Sequence, residues 1–258
     1  QDLTEISDSR AIVQADKTIY YSYISRCTEN IRIGNTEKVP VNDGKAVQLS
    51  SNCSSIIDLY RKAYQEYDKF KFRAAYTIDL QVKNPADYFA PENYNEAWLR
   101  SFCYSYDLQV PASNAGNIYA IMQQDLNRFF NLETSIRQQK VKSLVLVKRK
   151  GRDLLKTKGG KPSDSFAGST WHRPTDDTVR VLINQPFKKL ERWLQLWISG
   201  TQPFFSKVNY EGNIDISLPD VVISDLNIAQ LRKELQRYGL DLRTKKKKID
   251  VLVIRDRF

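Results

Sequence analysis

The spacing of apolar positions changes twice between Tyr104 and Val147. A strand pattern over YSYDLQVP is followed by NIYAIMQQDLNRFF, whose apolar residues recur at helical spacing. The segments LETSIR and VKSLVLV then predict two further strands joined by a short polar turn. A continuous apolar run such as VKSLVLV is typical of a strand that is covered on both faces. This stretch therefore predicts the order β-α-β-β.

The same order returns 108 residues further along the chain. The segment Asp107-Leu-Gln-Val-Pro111 corresponds to Asp215-Ile-Ser-Leu-Pro219, so the prolines that end the two strands are in register. The last strand, VKSLV, corresponds in the same way to IDVLV. The C-terminal stretch LDLRTKKKKIDVLVIRD is therefore predicted to be a hairpin with a run of lysines at its turn.

Residues 45–82 and 178–218 have the pattern of two more distant copies. The chain is thus predicted to contain about four β-α-β-β modules that form mixed or antiparallel sheets with helices packed on them, an α+β fold. The predicted organisation is an N-terminal tail or linker (1–17), a first half of two modules (18–150), a basic connection rich in Gly, Pro and Ser (151–177) and a second half of two modules (178–258). A connection of that length is expected to be either mobile or engaged with something.

Positive charge is concentrated in the second half of the first repeat and in the connection. The chain has a formal net charge of +10, and residues 137–161 contain ten lysines and arginines against Asp153 alone. Such a surface attracts anions, although lysines at turns and strand edges also discourage aggregation. The candidate anion-binding side chains are Lys148, Arg149, Lys150, Arg152, Lys156 and Lys158.

Few residues suggest catalysis. The single histidine, His172, lies in a polar loop, and Cys27, Cys53 and Cys103 form no CxxC pair. The sequence therefore predicts no catalytic residue, no metal site and no cofactor. Apolar runs are too short for a membrane span. Trp193 and Trp197 lie one helical turn apart, which favours packing in the core over ligand stacking.

The C-terminal sequence GLDLRTKKKKIDVLVI resembles the signature of the soil-associated family of bacterial proteins, a family without an established biochemical function. SSNCSSIIDLYRKAY resembles its early segment, and EAWLRSFCYSYDLQVP resembles its central segment as found in Bacteroidetes. The resemblance covers roughly residues 18–258. Its motifs describe packing and turns, so it implies the family and assigns no activity to named residues.

The resemblance carries several expectations. Regions of this kind often follow a TlpA-like thioredoxin domain in exported proteins, which implies an extracytoplasmic location in the periplasm or at the cell surface. The implied partner is a thioredoxin-like domain of the same parent protein or another envelope protein. Because thiols outside the cytoplasm tend to be oxidised, and because Cys53 and Cys103 both lie in matching segments, the resemblance implies a disulfide between these two.

Three functions are open on these grounds. The first is a non-catalytic extracytoplasmic module for protein interaction or ligand binding, accessory to a thiol-disulfide oxidoreductase. The second is a module that binds a polyanion such as an acidic envelope polymer; nucleic acid is the less expected ligand, because exposed aromatics are not interleaved with the charge. The third is an enzyme with a site between Tyr94 and Cys103, which requires a reactive, solvent-reachable Cys103.

Overall fold

The computed structural model of the protein describes residues 19–27, 36–65, 72–91, 93, 95–151, 154–166 and 179–257. Helices and strands are mixed along the chain, which confirms the α+β class. The strands are β1 (Tyr21–Arg26), β2 (Thr36–Val41), β3 (Ala46–Ser55), β4 (Ile78–Gln81), β5 (Cys103–Pro111), β6 (Leu132–Lys148), β7 (Ser163–Asp164), β8 (Val179–Pro186), β9 (Phe204–Ser206), β10 (Asn213–Pro219) and β11 (Leu240–Asp256). The helices are α1 (Ile56–Ala63), α2 (Glu96–Phe102), α3 (Ile118–Phe129), α4 (Phe187–Ile198), α5 (Asp220–Ser224) and α6 (Ile228–Gln236).

The described residues fall into two compact units. Unit 1 lies within residues 1–73, 78–136 and 252–258, and unit 2 lies within residues 74–77 and 137–251. The boundaries therefore cut β6 and β11, and each unit contains one end of both strands. The predicted halves differ from these units because they follow the chain continuously.

Unit 1 is built on an antiparallel sheet with the strand order β1-β5-β3-β2. Helix α1 begins directly after β3 because the Ser55 hydroxyl caps it and accepts a hydrogen bond from the Asp58 N–H at 3.2 Å. The core contains side chains of the sheet, of α1 and of α3. It also includes one residue from the start of β6 and two from the end of β11, namely Leu132, Leu252 and Ile254.

Unit 2 is built on a smaller antiparallel sheet with the order β10-β8-β7. Helices α4 and α6 bury their apolar faces against it, and Leu144 of β6 and Leu240 of β11 lie in the same core. Trp193 and Trp197 are stacked with ring centroids 6.0 Å apart, and both pack against this core beside Phe166. The core-packing interpretation of the two tryptophans is confirmed.

Part of the predicted connection belongs to unit 2. Leu155 and Phe166 are buried in its core, Lys156 forms a β-bridge with Ile214, and β7 pairs with β8. The connection was expected to be either mobile or engaged with something, and its described residues 154–166 pack against unit 2. Residues 152–153 and 167–178, which include His172, lie outside the described part of the chain.

Strands β6 and β11 each run for 17 residues and are neighbours in a four-stranded sheet of order β4-β11-β6-β9. The Arg149 N–H donates to the Gly239 carbonyl at 2.7 Å, and the Arg257 N–H donates to the Asn131 carbonyl at 3.1 Å. The two strands are therefore antiparallel.

The predicted turns within these two stretches are wrong, and the predicted hairpin LDLRTKKKKIDVLVIRD is one strand. Residues 137–142 and 243–248 contain no Gly, Pro, Asn or Asp. Tight hairpin turns depend on these residue types, because the turn backbone requires a positive φ or a preset φ. Pairing with the other long strand satisfies the backbone groups without a turn.

The 108-residue repeat is followed in detail by the two long strands. They start at Leu132 and Leu240, and each pairs near its C-terminal end with a short parallel strand. Leu252 of β11 is opposite Ile78 of β4, and Leu144 of β6 is opposite Phe204 of β9. Equivalent positions of the two long strands therefore receive equivalent partners.

Placing Asn-Gly at Lys246 and Lys247 distinguishes a continuous strand from a hairpin. Asn-Gly favours a two-residue turn, whereas glycine in a strand interior is unfavourable, so Lys246→Asn/Lys247→Gly is expected to lower the free energy of unfolding by about 1–2 kcal/mol. Urea denaturation measures the change. The matched control Lys246→Thr/Lys247→Thr removes the same charges, keeps strand-forming residues and is expected to unfold at or above the wild-type urea concentration. Stabilisation by Asn-Gly would contradict the continuous strand.

Candidate anion-binding surface

The middle of the two long strands is the most exposed part of the sheet they share. Buried residues lie towards both ends of each strand (Leu132 and 143–146 in β6, 240–242 and 251–254 in β11), whereas residues 137–142 of β6 and 245–248 of β11 are exposed or half-buried. We call these two segments the basic ribbon. They contain seven cationic side chains and no carboxylate, and all seven belong to unit 2: Arg137, Lys140, Lys142, Lys245, Lys246, Lys247 and Lys248.

The acid nearest to the basic ribbon along β11 is Asp250, two residues beyond Lys248. Among the residues that the structure describes, none of the seven cations forms an ion pair. The cations just outside the ribbon differ, because Arg243 and Arg232 both contact Asp241. The hydrogen bond from Arg232 holds the pKa of Asp241 well below its usual range. At the buried start of β11, Asp241 is therefore paired with two arginines, whereas the lysines in the middle of the strand form no ion pair in the described structure.

The outer edges of the ribbon have no strand beside them in the described structure. Strand β4 pairs only with residues 252–255 of β11, and β9 pairs only with residues 144–146 of β6. The ribbon is therefore two strands wide and solvent reaches both of its faces. A ligand has access to the lysines of both strands, and unpaired backbone groups are available along the two edges.

Two aromatic rings lie beneath lysines near the ribbon. The Lys247 ammonium lies 5.7 Å from the Phe205 ring centroid, and the Lys148 ammonium lies 5.1 Å from that of Tyr210. Both rings are half-buried, so the lysines cover them. The rings position ammonium groups and are not open platforms on which bases could stack.

The structure separates the candidate anion-binding residues into two groups. Lys148, Arg149 and Lys150 are exposed at the C-terminal end of β6 and directly beyond it, on the strand that contains half of the ribbon. Lys156 and Lys158 are exposed on a segment that runs beside β10, where the Lys158 N–H donates to Asp215 at 2.8 Å. No described contact links the two groups. Arg152 lies outside the described residues.

Sequence reasoning missed the ribbon as a site because the lysines of β11 were assigned to a turn. The signal was present in the sequence, since RQQKVK (137–142) and RTKKKK (243–248) lie in overlapping regions of the two repeats and both lack turn residues. A polar segment without turn residues between two apolar runs is compatible with a strand that is exposed in its middle. The charges of the two repeats therefore belong to neighbouring strands.

The disulfide of the structure joins Cys27 to Cys53, with the two Cα atoms 5.3 Å apart, and Cys103 is a buried free thiol. The expected disulfide between Cys53 and Cys103 is therefore wrong. A β-bulge between Ser51 and Ser54 contains Cys53, which has a positive φ of 41°. This local backbone geometry, which spacing along the sequence does not predict, brings Cys53 to Cys27.

The environment of Cys103 does not meet the condition set for a thiol enzyme. Burial, together with the nearby Asp58 carboxylate, raises the pKa of the Cys103 thiol to about 11. A catalytic thiol requires the opposite shift and access to solvent. Tyr94, the other end of the proposed site, lies outside the described residues.

A buried lysine in unit 1 was not identified from the sequence. Lys62 of α1 donates hydrogen bonds to the hydroxyl oxygens of Ser51 at 2.7 Å and Ser54 at 2.9 Å, and these two oxygens are 2.9 Å apart. Burial lowers the pKa of the Lys62 ammonium to about 8, against a smaller opposing effect of Asp58. Hydroxyl groups alone compensate this cation only in part.

Other kinds of site find no support in the described residues. They include no group of three or more His, Cys, Asp or Glu side chains that could hold a metal ion, and no helix in them is long and apolar enough to cross a membrane. Comparisons with protein-family models, with curated proteins and with solved structures gave no match. The resemblance to the soil-associated family therefore stays a prediction.

The buried Lys62 predicts a specific dependence of stability on pH. The ordinary pKa of 10.5 applies to the unfolded chain, whereas the folded value is about 8, so the unfolded state binds more protons between these values. The contribution of Lys62 to the free energy of unfolding therefore rises between about pH 8 and 10.5. Lys62→Met should lose this rise and should be more stable than wild type by about 1 kcal/mol at pH 7, because no charge is buried.

Urea unfolding at a series of pH values from 7 to 10 measures the difference between the two proteins. Lys83→Met, a change at an exposed lysine of the same unit, is the matched control and should keep the wild-type pH dependence. If Lys62→Met and wild type show parallel pH dependences, the burial of a titrating Lys62 is refuted.

Proposed function

We propose that the protein is a non-catalytic binding module that holds linear polyanions on the basic ribbon of unit 2. The observation that carries this proposal is a two-stranded ribbon with seven cationic side chains, none of them in an ion pair within the described structure. An extended ribbon presents these charges in two adjacent rows. A polymer with regularly spaced negative groups can contact several of them at once.

The energetics of the ribbon support ligand binding. Like charges on neighbouring strands are destabilising, and four of these lysines are consecutive in β11. Binding a polyanion relieves this repulsion and releases the counterions condensed on the polymer. The ligand is therefore expected to bind tightly at low salt and to stabilise unit 2.

The ligand class follows from the surroundings of the lysines. Phe205 and Tyr210 are half-buried beneath ammonium groups and offer no open stacking surface. Proteins that bind single-stranded nucleic acid combine their charge with exposed aromatic rings. An acidic polysaccharide or a phosphate polymer, recognised by charge alone, fits this surface better than a nucleic acid does.

We further propose that the module works outside the cytoplasm, as an accessory of a thioredoxin-like domain or of another envelope protein. The Cys27–Cys53 disulfide supports an oxidising compartment. The accessory role rests on the family resemblance and concerns a partner other than the polyanion. Anionic polymers are abundant in cell envelopes, so the two proposals are compatible.

Lysines on open strand edges also prevent pairing with other chains, and this role has a different measurable consequence. Loss of edge protection produces self-association, whereas loss of a binding site produces weaker binding by a protein that stays monodisperse. Size-exclusion chromatography of each variant therefore accompanies the binding measurement.

Neutralising three lysines of the ribbon tests the function. Lys245→Gln/Lys246→Gln/Lys248→Gln should weaken binding to a heparin fragment and to inorganic polyphosphate roughly tenfold or more at low salt. The slope of log Kd against log salt should fall by about 2–3 in magnitude, because each lost lysine contacts about one anionic group. Fluorescence anisotropy with labelled ligands measures both quantities, and a single-stranded DNA oligonucleotide serves as the nucleic-acid comparison.

Lys45→Gln/Lys83→Gln/Lys188→Gln is the matched control, because it removes the same charge at exposed lysines outside the ribbon. It should keep most of the affinity. Equal weakening by both triple variants would show that net charge alone attracts the polymers and would refute a site on the ribbon. Tighter binding to the DNA oligonucleotide than to either polymer would overturn the ligand class.

A further inference from the structure

The three cysteines of the chain lie in one buried cluster of unit 1. Cys27, Cys53 and Cys103 pack together, and Trp98 and Leu99 of α2 cover them. The sequence separates these cysteines widely, and the fold brings them together at one end of the sheet β1-β5-β3-β2. A thiol and a disulfide are thus in contact within the folded protein, independently of the basic ribbon.

The strands explain how the three sulfur-bearing residues meet. Cys27 directly follows the edge strand β1, and its N–H donates to the Cys103 carbonyl of β5 at 3.3 Å. Cys53 lies in the bulge of β3, the strand on the other side of β5, and its N–H donates to the Ser105 hydroxyl at 3.1 Å. Cys103 therefore occupies the strand between the two bridged cysteines.

The existing bridge joins strands that are not neighbours, since β5 separates β1 from β3. A bridge between Cys53 and Cys103 would instead join two strands that already pair, with Ser55 opposite Cys103 and Ser54 opposite Tyr104. Cys53 is not directly opposite Cys103, because it lies two positions before Ser55, at the bulge between Ser51 and Ser54. An alternative bridge therefore requires a local shift of this bulge, where the strand pairing is already interrupted, within the cluster that contains all three cysteines.

We propose that Cys103 undergoes thiol–disulfide exchange with the Cys27–Cys53 bridge. The exchange frees the Cys27 thiol, which is then the position at which the chain reacts with external thiol reagents. The Cys103 thiol loses its proton and its sulfur attacks the sulfur of Cys53. The Cys53–Cys103 bond forms, the Cys27–Cys53 bond breaks, and the Cys27 thiolate takes up a proton. The number of disulfides and thiols is unchanged, so the step needs no oxidant or reductant.

The direction of the exchange follows from burial and position. Cys27 is 8% exposed, and Cys103 is 2% exposed. Cys27 also directly follows an edge strand, whereas Cys103 begins a strand with a neighbour on each side. Exchange therefore moves the thiol from the middle of the sheet to its edge, where a small electrophile or a disulfide compound reaches it more easily.

The resting state protects the thiol. Burial and the nearby Asp58 raise the pKa of Cys103 to about 11, so little thiolate is present at neutral pH and exchange is slow. The exchanged form is consumed when a reagent traps the Cys27 thiol, which draws the remaining molecules through the same step.

Trapping with N-ethylmaleimide tests the proposal on the folded, oxidised protein. Trypsin cuts after Arg26, Lys45 and Arg100, so the three cysteines fall in separate peptides. Mass spectrometry of a non-reducing digest, made after incubation at pH 8.5 and quenching in acid, identifies both the labelled cysteine and the remaining bridge. We expect at least tenfold more label on Cys27 than on Cys103, together with a Cys53–Cys103 bridge.

Two results would overturn the proposal. One is label on Cys103 with the Cys27–Cys53 bridge retained, which means that Cys103 reacts directly. The other is no label on any cysteine after roughly a day under conditions in which the urea-unfolded protein is labelled within minutes. The variant Cys103→Ala should keep the Cys27–Cys53 bridge and take up no label. If that variant does not fold, the labelled position in the wild-type protein decides alone.

Discussion

The pairing of β6 with β11 is the interaction on which the rest of the structure depends. Each strand runs for 17 residues and contributes buried side chains to both units. The core of unit 1 contains Leu132 of β6 and Leu252 of β11, and the core of unit 2 contains Leu144 and Leu240. Because each core needs residues from both long strands, neither half of the chain supplies a complete core by itself. The sequence repeats therefore do not coincide with the compact units, because each unit contains one end of both long strands.

Some parts of the fold could be predicted from the sequence and others could not. Helix α3 and the 108-residue register were predictable, because apolar periodicity and the aligned Pro111 and Pro219 are local signals. The continuity of the long strands was harder to predict, since a strand that is buried at both ends and exposed in its middle shows no single period. The bridge between Cys27 and Cys53 depends on the positive φ of a bulge residue, which is set by tertiary pairing. No pattern along the chain encodes it.

The candidate site, too, was predictable from the sequence only in part. The excess of positive charge was evident from composition, and the candidates Lys148, Arg149 and Lys150 lie at exposed positions. The lysines of β11 were treated as decoration of a turn, so the prediction assigned the charge to the turns of two hairpins and to the connection. The structure combines the cations of two repeats on adjacent strands, because the long strands pair with each other. A surface formed by residues about a hundred positions apart becomes visible only when strand pairing is known.

Stability alone does not account for the composition of the ribbon. One or two lysines would protect an open strand edge, whereas seven cations without an ion pair among the described residues add repulsion between like charges on two neighbouring strands. The chain does pair charges elsewhere, since Arg232 and Arg243 share Asp241 at the buried end of the same strand. Places where a sequence departs from local rules without a compensating contact are commonly functional. The missing compensation at the ribbon is negative charge, and a polyanionic ligand is the partner that supplies it.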